Sequence, residues 1–450
     1  MNHAIDGLKV AHFSDLHYAP GTLAEVGPCF ESAVTNAIAA GVEVSIVTGD
    51  STDHKQDAHS PALHELFRQI QRLANHCPVL LLQGTFSHEP AGMLHLFRFV
   101  ASRFPIEIAD RIGQLALFNN EWRWVNSAAE CKGARLVVST APTVNKADLV
   151  ASVEPEKVAE AMGDVLAALM GNVFAPVNRE VRAMGIPTVL IGHGTVRGSM
   201  TETGVPMAGL DHEFTLGALY SAMCSATMLG HIHLHQSWER EVDSVLQRVA
   251  YPGSIGRNHY GEQGEKGFLI WDVGAMGASF EFVATPACRM IDFNFTGAPD
   301  LEYIKSHASE FAGAFVRVMY EIDEEFSSTV DRKAIREALS SAREFEIKGR
   351  VIPAVRQRAP GISRIASINE RVSHWCSLTG NEPDDIVGRL ALMQVSDPKE
   401  IAANFLKGLY DEQDSKGIPG GVASLALDNV DGGQLRLVAG EPGGLGIAGS

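Results

Sequence analysis

Asp15, His17, Asp50, His193, His231 and His233 all lie at or just beyond the ends of short apolar runs. The runs are Leu8–His17 (LKVAHFSDLH), Val42–Asp50 (VEVSIVTGD), Pro187–His193 (PTVLIGH) and Ala226–His233 (ATMLGHIH), and a fifth, Pro78–Glu89 (PVLLLQGTFSHE), ends at His88 and Glu89. Imidazole and carboxylate are the usual ligands of catalytic divalent metals, and six such donors are too many for one tetrahedral ion. They suit two ions that share a bridging carboxylate, which is a binuclear centre. Such a centre can clamp a phosphoric ester, polarise its oxygens and activate a bridging water, as hydroxide, for in-line attack on phosphorus.

The elements that must position these donors follow from the runs themselves. Short stretches of Val, Ile and Leu bounded by Gly and polar residues read as buried strands, and in open α/β sheets ligands collect beyond the carboxyl ends of the strands. Two amphipathic segments lie between the motifs. Pro28–Ala40 carries Phe30, Val34 and Ile38 four apart, and Pro61–Asn75 carries Leu63, Leu66, Ile70 and Leu73 on one face. Both are expected to be crossover helices packed on the sheet.

The order of these motifs resembles the calcineurin-like metallophosphoesterases: D-x-H at Asp15 and His17, G-D at Gly49 and Asp50, a G-N-H-like element, G-H at Gly192 and His193, and G-H-x-H at Gly230, His231 and His233. Within them, Tyr251–Val273 (YPGSIGRNHYGEQGEKGFLIWDV) is similar to the stretch after the last metal motif in the nuclease subunit of the bacterial SbcCD complex. The resemblance spans residues 8 to about 410. It implies an α/β fold, a metallophosphoesterase β-sandwich flanked by helices in four αββα layers, with a smaller α/β capping domain and a C-terminal helix. It further implies two divalent ions, manganese being the expected metal, with Asp15, His17 and His233 on one ion, His193 and His231 on the other, and Asp50 between them. His88 would serve the leaving oxygen as proton donor or charge stabiliser.

One departure from the family pattern concerns the second ion. Gly84-Thr85-Phe86-Ser87-His88-Glu89 lacks the Asn that supplies an amide oxygen; with His88 as anchor, Ser87 aligns with it and is the expected ligand. Tyr251–Arg257 reads as a buttress of the G-H-x-H loop, with Arg257 and His259 as candidate substrate contacts. His54, His59 and the pair His212–Glu213 read mainly as surroundings of the site.

The activity implied is that of a DNA phosphodiesterase, an exonuclease or endonuclease in double-strand-break processing or recombination. The alternative is a stand-alone phosphoesterase for a small phosphodiester or phosphomonoester. The nuclease reading brings partners with it: DNA, an SbcC-like coiled-coil ATPase and a second copy in a homodimer. The chain holds no G-x-x-x-x-G-K-[ST] of its own. A net charge of −17 opposes an extended nucleic-acid coat, although ten Lys or Arg against four Glu between Arg332 and Arg371 leave a local basic surplus.

Composition is that of a globular chain, and 450 residues allow two or three domains. Six scattered cysteines without a C-x-x-C suggest reduced, buried thiols. No leader-like segment is visible, and Glu160 and Asp164 interrupt the longest apolar stretch, Val158–Val177, so a cytoplasmic protein without a membrane span is expected. The pattern divides into a metallophosphoesterase domain over 1–284, a small α/β cap over 285–378, a helical segment over 379–413 and a Gly-rich tail over 414–450 expected to be disordered. In the cap, Ala314–Ile322 and Phe345–Val355 read as strands and Asp331–Arg343 as a helix. Asp397, Pro398 and Glu400 start a helix that carries Ile401, Phe405 and Leu409 on one face.

Overall fold

A computed structural model describes residues 7–143, 158–202, 204–207, 213–242, 245–353, 361–395, 397–400, 402–403 and 407. His212, the tail over 414–450, and Ile401, Phe405 and Leu409 of the C-terminal helix lie outside the described residues. The chain divides into two compact units, Met1–Pro353 and Ala354–Ser450.

The first unit is mixed α/β. Its strands run β1 (Leu8–Phe13), β2 (Val44–Val47), β3 (Val79–Leu82), β4 (Ile106–Ala109), β5 (Gly113–Phe118), β6 (Glu121–Val125), β7 (Leu136–Ala141), β8 (Thr188–His193) and β9 (Thr195–Val196). They continue with β10 (Glu213–Phe214), β11 (Ala226–Gly230), β12 (Gln236–Val242), β13 (Val245–Tyr251), β14 (Gly267–Gly274) and β15 (Gly277–Ala284). A small sheet follows, made of β16 (Met290–Thr296), β17 (Phe315–Asp323) and β18 (Glu344–Ile352).

Thirteen strands share one sheet in the order β4-β3-β2-β1-β14-β15-β13-β11-β8-β7-β5-β6, with β12 paired to β13. Where two separate sheets were expected, the hydrogen bonding is therefore continuous, carried across the middle by the antiparallel β14–β15 pair and a single β13–β15 bridge at Leu246 and Gly277. Side chains alternate between the faces of each strand. Val10, Ile46 and Leu80 from one limb of the sheet share a buried core with Val138, Ile191 and Met228 from the other. The opposite faces carry separate cores: Phe13, Val47 and Leu81 under the helices α1 (Leu23–Ala39) and α2 (Pro61–His76), and Leu190 and Leu229 beside Met170 and Phe174.

Helix α2 forms where its periodicity predicts. Helix α1 starts at Leu23, ahead of the expected Pro28, and Pro28 lies inside it. The early start is set by the loop before it: Thr22 Oγ1 donates to His17 O (2.6 Å) and accepts from Ala19 N (3.0 Å), so the turn after His17 runs directly into helix.

In the small sheet both pairings are parallel, and β17 and β18 form near the expected positions with the helix Arg332–Ala338 between them. Strand β16 was not expected. Phe293, Val316, Val318 and Ile335 fill the core of this layer. Glu25, buried in the first turn of α1, accepts from Cys288 N (3.0 Å) and Arg343 Nη1 (3.1 Å), which ties the small sheet to the helix that follows the Asp15–His17 loop. In the second unit, Ile368–Thr379 and Pro383–Val395 are helices, and Asp397 Oδ1 accepts from Lys399 N (2.8 Å) as a helix N-cap does. Among the described residues no helix is long and apolar enough to cross a membrane, and five of the six cysteines are buried, with no disulfide.

His12 on β1 is fully buried; its Nε2 meets Thr48 Oγ1 at 2.9 Å while its Nδ1 has no partner. Burial, reinforced by His235, pushes its pKa down from 6.5 to about 3. The unfolded chain binds a proton there between pH 6.5 and about 3 and the folded chain does not, so this residue costs about 1.4 kcal/mol of stability for each unit the pH falls through that window. Replacing His12 by Leu is expected to flatten the acid limb of stability, as read from denaturant titrations of the metal-free protein across that range.

Candidate metal centre

The ends of two pairs of neighbouring strands, β1–β2 on one limb of the sheet and β8–β11 on the other, build the rim. The β1–β2 pairing continues past both strands through Asp15 N to Gly49 O (3.1 Å), His17 N to Asp50 O (2.9 Å) and Tyr18 N to Ser51 O (3.1 Å). On the other limb His193 lies in register with Gly230, and Gly194 N donates to Gly230 O (3.1 Å). Asp15, His17, Asp50 and His231 all have positive φ, at 50°, 45°, 52° and 104°. Such backbone is uncommon for residues with a Cβ and persists where the surroundings over-determine it, typically at functional sites. Two glycines allow the loops to close: a Cβ on Gly230 would collide with Thr48 O and Ser14 Oγ, and one on Gly84 with Asp50 N.

Two clusters of ligand atoms result, Asp15/His17/His233 and Asp50/His193/His231. In the first, His17 Nε2 and His233 Nε2 stand 3.0 Å apart, each 3.9 Å from Asp15 Oδ1. In the second, His193 Nε2 is 3.3 Å from Asp50 Oδ2, and the rings of His193 and His231 are 5.3 Å apart, centre to centre. Asp15 also accepts His231 N at 3.1 and 3.0 Å, which joins the β1 loop to the β11 loop.

At His193 and His233 the electrostatics favour positive charge. Burial works against a proton on His193, yet the adjoining Asp50 carboxylate, with Asp15, outweighs it and holds the imidazole up at about 10. Burial would raise Asp50, but His193 beside it drives it well below the usual carboxylate range. His233 is likewise raised against its burial by Glu262 and Asp15. Burial and the facing His233 keep His17 far below its ordinary value. Convergent N and O donors of this kind fit a pair of divalent cations, each cluster offering three protein ligands.

His88 stands beside the first cluster. Its ring meets that of His17 edge-on at 4.7 Å, and its Nδ1 is 2.9 Å from Asp53 Oδ1, which also holds His54 Nδ1 at 2.8 Å. His17, Asp53 and His88 form a third group with metal-ligand spacing. Glu89, fully buried, accepts Gly84 N (2.6 Å) and Ser51 N (2.5 Å) and so fastens the His88 loop to the Asp50 loop. Burial, with Asp50 nearby, raises its pKa to about 7.

Ser87, the expected ligand, is exposed, while Thr85, two residues earlier, donates its N–H to Asp50 Oδ1 (2.7 Å) and sets its hydroxyl 3.3 Å from Asp50 Oδ2 and 3.2 Å from His193 Nε2. A tight turn, with His88 N and Glu89 N both donating to Thr85 O, separates the Thr85 register from that of His88. Arg257, expected at the substrate, is half-buried against main chain. Its Nε donates to Cys288 O (2.5 Å) and its Nη1 to the main-chain oxygens of Glu262 and Gly264, so it braces a loop. His259 is exposed, its ring parallel to that of His233 at 6.3 Å. His59 is exposed in the loop before α2.

Asp53, Thr85, Glu89, Glu262 and Lys266 are the members of the site that sequence reasoning did not assign. Glu89 and Asp53 carried a signal, since each sits within a few residues of a metal motif.

No family model matches this chain. Among solved structures it is similar to a dimetal phosphatase from Danio rerio, with 10% sequence identity and a TM-score of 0.36 over 61% of this chain and 99% of that one.

Metal binding at Asp50/His193/His231 must displace the proton from His193. Below about pH 10 the apparent affinity of that site is expected to rise about tenfold per pH unit, with proton release visible by calorimetry in buffers of different ionisation enthalpy. Thr85→Val is expected to weaken metal binding at this site, measured by the same titration, and Ser87→Ala to leave it unchanged.

Proposed function

We propose that this chain is a hydrolase that cleaves phosphoric esters with two divalent metal ions. The observation that carries the reading is the pair of Asp/His clusters where strand ends of the two limbs meet, with the Asp53-held His88 beside them. Asp15, His17 and His233 would hold one ion, and Asp50, His193 and His231 the other. Bound there, the ions would supply Lewis acidity toward the phosphoryl oxygens and a water nucleophile. The chain's own residues do the positioning. Asp53 takes one ring nitrogen of His88 and leaves Nε2 to pass a proton to the departing oxygen. Glu89 fixes the loop that carries His88, and Asp15 fixes the loop that carries His231 and His233.

Within that class we infer a DNA phosphodiesterase, a nuclease that uses manganese and works as a homodimer with an SbcC-like coiled-coil ATPase in break processing or recombination. The similarity of Tyr251–Val273 to the SbcCD nuclease subunit and the basic surplus over Arg332–Arg371 support this reading. The net charge of −17 favours a second one, a phosphoesterase for a small substrate.

Manganese-dependent cleavage of labelled linear and hairpin DNA, measured beside a generic phosphodiester reporter, separates the two. DNA cleavage is expected, abolished by Asp50→Ala and lowered roughly 100- to 10,000-fold by His88→Ala. Reporter turnover without DNA cleavage, with a coiled-coil ATPase supplied, would leave the small-substrate reading.

A further inference from the structure

Among the candidate ligand histidines, His233 has a buried ion pair behind it. Its Nε2 faces His17 and Asp15, and its Nδ1, on the far side of the ring, lies 3.3 Å from Glu262 Oε1. The second oxygen of Glu262 meets Lys266 Nζ at 2.7 Å and accepts Asn258 N at 3.2 Å. Lys266 Nζ then donates to the main-chain oxygen of His233 (3.0 Å) and to Ser254 Oγ (2.8 Å). An ammonium has three donors, and here each has a partner. Both charged side chains are almost wholly buried, Glu262 at 0% and Lys266 at 4% exposed.

A buried carboxylate and ammonium are costly unless fully paired, and removing either one leaves the other uncompensated. What this arrangement gives in return is control of one imidazole from two sides. Glu262 accepts the Nδ1 proton, which fixes the tautomer and leaves the Nε2 lone pair for a cation. Lys266 holds both that carboxylate and the backbone of His233, so ring and main chain are positioned together. His193 differs: its Nδ1 lies 2.7 Å from a neutral acceptor, the main-chain oxygen of Thr48. A carboxylate behind an imidazole increases its basicity as a ligand more than a carbonyl does, and such partners typically change metal affinity about 10- to 100-fold.

We propose that Glu262 and Lys266 are positioning residues that fix His233 as an Nε2 ligand and make the Asp15/His17/His233 site the tighter of the two metal sites. The inference rests on the metal-centre reading above and concerns only the order and strength of filling.

The test is calorimetric titration of the metal-free full chain with manganese alone, for wild type, Glu262→Gln, Lys266→Met and the double variant. Circular dichroism and the melting temperature of each metal-free protein report folding. Wild type is expected to bind two ions in unequal steps. Glu262→Gln keeps an acceptor but loses the charge; it is expected to weaken the tighter step about 10- to 100-fold and leave the weaker step in place. The double variant, which carries no unpaired charge, should fold and show the same weakening. In metal-free protein at alkaline pH, nitrogen NMR of labelled histidine should find the His233 proton on Nδ1 in wild type. Two equal steps in wild type, or an unchanged tight step in the folded double variant, would overturn the inference while leaving the metal centre standing. A wild-type chain that takes up no manganese would overturn both.

Discussion

Asp15 and Asp50 are buried carboxylates at the ends of neighbouring strands, and the arrangement around them follows from that burial. A carboxylate out of water must be hydrogen-bonded and matched by positive charge. Backbone N–H groups meet part of the requirement, from His231 to Asp15 and from Thr85 to Asp50. Asp15 Oδ1 also faces His17 and His233 at 3.9 Å, and Asp50 Oδ2 faces His193 at 3.3 Å. The pocket is thus short of cations in proportion to its donors, which is the electrostatic condition for holding divalent metal. The positive φ angles at Asp15, His17, Asp50 and His231 are the local cost of aiming four side chains inward from three strand ends.

Outside this shell, a ring of partners converts loops into a fixed frame. Glu89 joins the His88 loop to the Asp50 loop, Thr22 joins the His17 loop to α1, and Glu25 joins α1 to the small sheet through Arg343. The small sheet is therefore tied through α1 to a rim that the large sheet's strand ends build directly. Because main-chain groups supply many of these bonds, the frame constrains backbone as well as side chains. A loop that carries a ligand can then hold it to the tolerance that catalysis demands.

Much of this was legible in the chain. The apolar runs that stop at Asp or His located the strand ends, because a buried strand requires consecutive Val, Ile and Leu and the site needs polar groups where the strand leaves the core. Helix α2 and strands β17 and β18 followed from periodicity for the same local reason. The start of α1 was misplaced: the preference for Pro at a helix start is weaker than the turn that Thr22 makes with His17 O and Ala19 N. The unexpected β16 is a strand at the edge of the small sheet, completed by pairing with β17.

The sequence by itself located the buried strands that end at Asp or His and singled out the six candidate Asp and His donors, since strand propensity and ligand chemistry are properties of the residues and their near neighbours. Only the tertiary structure decided which hydroxyl meets Asp50, because Thr85 and Ser87 are alike in chemistry and the turn at the loop selects between them. It also decided that Arg257 braces main chain and that Glu262 stands behind His233. The physical reason is common to all three. Partners such as Thr85 and Asp50, or Glu262 and His233, are brought within hydrogen-bond distance by packing of the strands and loops between them, and sequence spacing carries no record of that distance.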